Sequence, residues 1–95
     1  MKIEDKENMR LDLFLKKVLI IKQRETAKQL CDGGYVKVNG MAAKPARDVR
    51  ISDLIEIETA QGMESYRVLM VPNGNLRKDE VGQYCELVNK VADHE

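Results

Sequence analysis

The sequence is poor in the residue types that most reactive chemistry depends on. Its 95 residues include one His, two Cys and no Trp. The lone His, His94, leaves any core site without the commonest general base. It has no Cys or His at ligand spacing, which argues against a metal centre. No Ser-His-Asp set, paired-carboxylate pocket, phosphate-cradling P-loop or glycine-rich dinucleotide fingerprint is present. No catalytic residue, metal or cofactor is therefore expected. One Phe and three Tyr are the only aromatics, so the core must be mostly aliphatic. The longest apolar run, Val18-Leu19-Ile20-Ile21, is four residues long, far short of a membrane span. The first eight residues mix both signs of charge without an apolar stretch, and read as a frayed arm rather than a signal peptide. Cys31 and Cys85 stand in unrelated segments and are expected as reduced core residues of a cytoplasmic chain rather than as a disulfide.

The chain has a pronounced internal charge asymmetry. Its formal net charge is zero, yet residues 9–50 carry ten Lys/Arg against four Asp/Glu, a net +6. Residues 51–95 carry four against nine, a net −5, and residues 1–8 carry −1. Such asymmetry between halves suggests one side that faces a polyanion and another that is solvated or faces protein. The length suits a single small domain with some tail, expected to be a monomer.

Apolar spacing locates the elements. With Asn8 as N-cap, Leu11, Phe14, Leu15, Val18 and Leu19 form a helical stripe. A second helix fits residues 24–32, with Ala27, Leu30 and Cys31 inward, and Gly33-Gly34 supplies its stop. Val36 and Val38 alternate on one face of a strand over 35–38. Asn39-Gly40 is a strong hairpin signal because both central positions of a type I′ turn need positive φ. The return strand covers 41–43, and Lys44-Pro45 ends it. Residues 54–58 alternate again, with Ile55 and Ile57 on one face, and 66–71 is a further strand candidate after a turn at Gln61-Gly62. Beyond the loop at 72–75, Val81, Tyr84, Cys85, Val88 and Val91 or Ala92 recur at helical spacing, so a C-terminal helix is expected. The order α-α-β-β-β-β-α implies an α+β domain on one small antiparallel sheet.

The basic half has a direction. Arg24 and Lys28 stand four apart on one helix, where like charges repel by a few tenths of a kcal/mol. Arg10 and Lys17 share a face of the first helix with Lys16 nearby, Lys22 bridges the helices and Lys37 projects from the hairpin. A phosphate backbone would turn this repulsion into attraction; charge alone equally allows a solvated basic face. Tyr35 could stack on a base, although packing is the commoner role of a lone strand Tyr. Asp12, near the first helical turn where negative charge is favoured, is expected to neutralise a neighbouring Arg or Lys.

Read in order, Arg10-Leu11-Asp12-x-x-Leu15, Arg24-x-x-Ala27-x-x-Leu30, Gly34-x-Val36-x-Val38-Asn39-Gly40, Lys44-Pro45 and Asp53-x-Ile55-x-Ile57 resemble the S-four (S4, αL) RNA-binding domain. The match covers residues 9–58, and the whole chain is most similar to the small stand-alone ribosome-associated branch. That branch includes the RqcP-type factors of bacterial ribosome quality control and the heat-shock S4 proteins that bind stalled large subunits. The resemblance implies an αL motif of two helices plus hairpin on the small sheet. With it the chain divides into the arm at 1–8, which the composition indicates, an S4-type RNA-binding domain at 9–71, and a loop with helical tail at 72–95. The resemblance also implies Arg10 and Arg24 as leading RNA contacts, supported by Lys16, Lys17, Lys22, Lys28 and Lys37, with Gln23, Thr26, Asn39 and Lys44 completing the set.

The function so implied is a non-enzymatic RNA-binding protein on the large ribosomal subunit, touching 23S rRNA and tRNA in rescue or quality control of stalled ribosomes. A nascent-chain quality-control factor would be a further partner; no membrane and no small-molecule substrate are implied. Other readings are a free tRNA or mRNA regulator, the S4 half of a split modifying enzyme, or a protein-interaction adaptor using the acidic C-terminal half and a helix at 77–92. Departures from the pattern are Leu13 and Gln23, where basic residues are common, and Ser52, where Gly usually precedes Asp53. The neutral total charge also contrasts with strongly basic members.

Overall fold

The computed structural model describes residues 9–72, 74 and 76–92, with residues 91 and 92 described by backbone only. The expected arm at 1–8, its Asn8 cap, the loop residues Asn73 and Asn75, and His94 lie outside the described residues. The apolar stripe near the start folds as helix α1 (Leu11–Lys17), burying Leu11, Phe14 and Leu15. Arg10 occupies the N-cap in extended conformation without a side-chain cap bond. Instead the N–H groups of Leu11 and Asp12 donate to the carbonyls of Arg47 and Pro45, at 2.8 and 3.1 Å. These carbonyls satisfy donors that every helix leaves open at its start. They also tie α1 to strand β4 (Asp48–Val49), which pairs antiparallel with the two-residue strand β1 (Met9–Arg10).

Helix α1 stops sooner than its stripe suggests. Leu19 takes a positive φ of 63°. The N–H of Leu19 then reaches Lys16 O and that of Ile20 reaches Leu15 O, both at 3.0 Å. This is the left-handed C-terminal closure usually built on glycine. It turns Leu19 outward, 47% exposed, rather than into the core. Helix α2 (Arg24–Asp32) closes the same way on Gly34, at φ 84°, with the N–H of Tyr35 reaching Leu30 O.

The main sheet has the strands β2 (Val36–Val38), β3 (Met41–Ala42), β5 (Leu54–Thr59), β6 (Gly62–Val68) and β7 (Cys85–Ala92), every pair antiparallel. Their order across the sheet is β3-β2-β5-β6-β7. The β2–β3 turn is the one expected: Asn39 and Gly40 both have positive φ, 54° and 87°. Val36, Val38, Ile55 and Ile57 bury one face of the sheet against Leu11, Phe14, Leu15, Val18, Ala27 and Cys31 of the helical layer. Both cysteines are free, Cys31 buried and Cys85 partly so.

Two further expectations are corrected, and one pairing is new. The strand foreseen at 66–71 runs from Gly62 to Val68, because the turn at residues 60–61 leads straight into pairing with β5. The short β1–β4 ladder has no counterpart in the sequence reading. Above all, the C-terminal helix expected for the tail is absent: residues 78–83 form a 3₁₀ turn and residues 85–92 form strand β7. Helical spacing at Val81, Tyr84, Cys85 and Val88 is interrupted by Gly82, and short apolar runs cannot separate helix from strand by period alone. The open edge of β6 decides between them by pairing with seven β7 residues, with a bulge near Ser65 and Tyr66. The tail is therefore an edge of the sheet rather than an appended helix.

Candidate nucleic-acid interface

The beginnings of the two helices meet at one carboxylate. Asp12, in the first turn of α1, has a side chain only 2% exposed. Arg10 grips it with two bonds, Nε to Oδ1 at 2.8 Å and Nη2 to Oδ2 at 3.1 Å. Arg24, the first residue of α2, places its Nε 3.5 Å from Oδ2 of the same carboxylate. The arginine side chains themselves are 42% and 45% exposed. A guanidinium has five N–H donors; both arginines thus keep outward-facing donors while their positions are fixed from beneath. Fixing two long side chains in advance lowers the entropy lost when they engage a ligand.

Burial pushes the Asp12 carboxyl up. The Arg10 hydrogen bonds, the charges of Arg24 and Arg10 and the Leu13 N–H outweigh it and hold the group below its ordinary value. The expected neutralising role of Asp12 is what the structure shows, with two arginines rather than one. Nearby, burial pushes the Cys31 thiol up to about 11, with the charges of Asp12 and Asp32 adding to it; that thiol is inert packing, not a nucleophile.

The remaining expected contacts divide by location. Lys28 and Thr26 are exposed on α2 with Arg24, Lys22 and Gln23 are exposed in the link between the helices, and Lys16 is exposed near the end of α1. Lys17 is partly buried. Lys37 is not brought to the arginine pair: alternation puts it on the sheet face opposite Val36 and Val38, across from Glu56. Asn39 is occupied within the fold. Its Nδ2 donates to Asp53 Oδ1 at 3.0 Å and its Oδ1 accepts the Leu54 N–H at 3.0 Å, so it locks the hairpin tip. Lys44 is exposed after β3, on a small cleft it shares with Cys31 and Asp32. Tyr35 is half-exposed, its ring so close to Gly33 that a Cβ there would lie 2.8 Å from Cε2. Two arginines that sequence reasoning did not single out, Arg47 and Arg50, line a polar cleft around β4; their only trace in the sequence is their share of the +6 half.

Among the described residues no three His, Cys, Asp or Glu side chains cluster as metal ligands, and no helix is long and apolar enough to cross a membrane. A helix pair laid on an antiparallel sheet, with paired arginines at the helix starts, defines a class, and the S4 domain model matches residues 9–55. The chain belongs to the S4-domain family. Among its relatives is the RQC P-site tRNA stabilizing factor of Streptococcus pneumoniae, 38% identical over 76 residues, which cover 80% of this chain and 86% of that protein. The Listeria monocytogenes protein of the same name is 43% identical over 82 residues, 86% of this chain and 88% of the relative. Among solved structures, the trimeric Heat Shock Protein 15 of Vibrio cholerae superposes with a TM-score of 0.79 at 26% identity, covering 86% of this chain and 83% of that one.

Proposed function

We propose that this protein is a non-enzymatic RNA-binding factor that holds tRNA on the large ribosomal subunit during quality control of stalled ribosomes, acting in the cytoplasm. The observation that carries this reading is the Arg10–Asp12–Arg24 arrangement, two exposed guanidiniums fixed by one buried carboxylate. The names of the relatives, P-site tRNA stabilizing factors, give the RNA its identity. The mechanism is positional. The arginine pair clamps phosphate, Lys28, Lys22 and Lys16 add charge around it, and the domain stabilises one placement of tRNA while a partner handles the nascent chain. Backbone and shape contacts dominate over base readout, as is usual for folded RNA.

The test is co-sedimentation with large subunits carrying peptidyl-tRNA. Arg24→Ala removes a charge-assisted contact worth about 1.5–3 kcal/mol. Affinity is expected to fall roughly tenfold or more, with the thermal midpoint little changed because Arg10 still covers Asp12. Undiminished co-sedimentation would overturn the reading. The adaptor alternative predicts binding indifferent to salt, whereas phosphate binding weakens steeply as salt rises.

A further inference from the structure

The turn after β4 gathers Asn39, Arg47, Asp48, Arg50 and Asp53 around a polar cleft of about 520 Å³. The Nε of Arg47, one of the lining residues, is buried and has no hydrogen-bond partner among the described residues. Buried donors are almost always paired in folded proteins, with protein or with ordered water, so this one calls for an acceptor that the chain itself does not supply. Asp53, on the same cleft, does not complete it. It spends Oδ1 on the Asn39 amide at 3.0 Å and Oδ2 on the Arg50 N–H at 2.9 Å. The Arg50 side chain is exposed, and its link to Asp53 is through its backbone N–H. Asp48 lines the cleft too, and its charge keeps the site from being a strong trap for a free anion. A phosphate delivered by a strand already held next door does not need such a trap, since its effective concentration is set by the tether. The clamp is next door: Asp48 is the Cα partner of Arg10 in the β1–β4 ladder.

We propose that Arg47 and Arg50 receive a second phosphate of the same RNA, further along the strand from the one held by Arg10 and Arg24. Arg47 is half-buried on the cleft wall, and the outer N–H groups of its planar guanidinium supply the charge-assisted donors that phosphate oxygens accept. Arg50 adds charge from the exposed side. This inference rests on the RNA-binding reading and extends its footprint from the helix starts across β4 to the following turn.

The experiment measures large-subunit binding over a salt series for wild type, Arg24→Ala, Arg47→Met and the double variant. Methionine keeps an apolar stem and removes the guanidinium. Each lost phosphate contact is expected to flatten the slope of log K against log salt by about one unit. The double variant should therefore lose about twice that, while Arg47→Met keeps or raises the thermal midpoint because an unpaired buried donor is gone. Should Arg47→Met fail to fold, Arg50→Gln gives the same readout from an exposed position. An Arg47→Met or Arg50→Gln protein with the wild-type slope overturns the second contact, as does weaker binding at unchanged slope, which would mean a protein surface. If wild type itself binds without salt dependence, the parent reading has failed; if only Arg24→Ala flattens the slope, the parent stands and this inference falls.

Discussion

Asp12 makes the positions of the two leading arginines conditional on pH. Its folded-state value is held below the ordinary 3.8, so the carboxylate contributes stability that is fully present above the unfolded value and is lost as pH falls through the folded one. Asp12→Asn is expected to cost about 1–2 kcal/mol at neutral pH, less than a fully buried pair because the arginines reach water. It should also flatten the acid limb of stability; urea titrations at pH 7 and pH 3 check both, and a variant with the wild-type acid limb would exclude Asp12 as its source. A second residue-scale expectation concerns Ser52, whose φ of 79° is a glycine conformation. The Asp53 N–H closes the turn on Arg50 O at 3.1 Å, the Ser52 N–H reaches Val68 O at 2.8 Å, and Arg67 Nη1 holds the Ser52 carbonyl at 2.9 Å. The turn thus stays tight without the glycine of the family pattern. Ser52→Gly should relieve the strain and stabilise by about 0.5–1 kcal/mol, read as a rise of a few degrees in the thermal midpoint. Positive φ at Gly34, Asn39 and Gly40 was legible because those residue types announce it. At Leu19 and Ser52 it was not, because helix closure and tertiary hydrogen bonds impose it on residues that do not prefer it.

Strand β7 shows what periodicity leaves open at the level of elements. The helices α1 and α2, the β2–β3 hairpin and β5 follow from spacing and turn residues. For residues 85–92 the apolar positions suit either period, and only the pairing demand of β6 chooses. Removing residues 85–95 is accordingly expected to lower unfolding stability by at least about 2 kcal/mol, comparable to unburying one large apolar side chain. Circular dichroism of the truncated protein should lose strand rather than helix signal. A truncation that keeps the full urea midpoint would mean that β6 needs no partner beyond β5. The β1–β4 ladder was invisible for another reason: two residues are too few to show alternation, and their pairing is fixed by where the start of α1 finds carbonyl acceptors.

Across the whole molecule, the charge asymmetry along the chain was plain in the sequence, and a cluster of positive charge raises the rate at which a polyanion is met. The sequence did not reveal which cations share a surface. Lys37 lies across the sheet from the core face, Asn39 is spent on the hairpin, and Arg47 and Arg50 adjoin Arg10 through a strand pair that spacing does not show. Helix α1, moreover, has seven residues, well under the length at which a helix survives alone in water. Arg10 and Arg24 can hold their places only while the domain is folded. In core variants such as Leu15→Ala and Ile55→Ala, apparent affinity should therefore fall in proportion to the folded fraction and no further; binding that outlasts cooperative unfolding would refute this. The linkage also runs in reverse. Whatever occupies the arginines draws the chain out of its unfolded pool, so molecules seated on their RNA should withstand a protease that digests free ones.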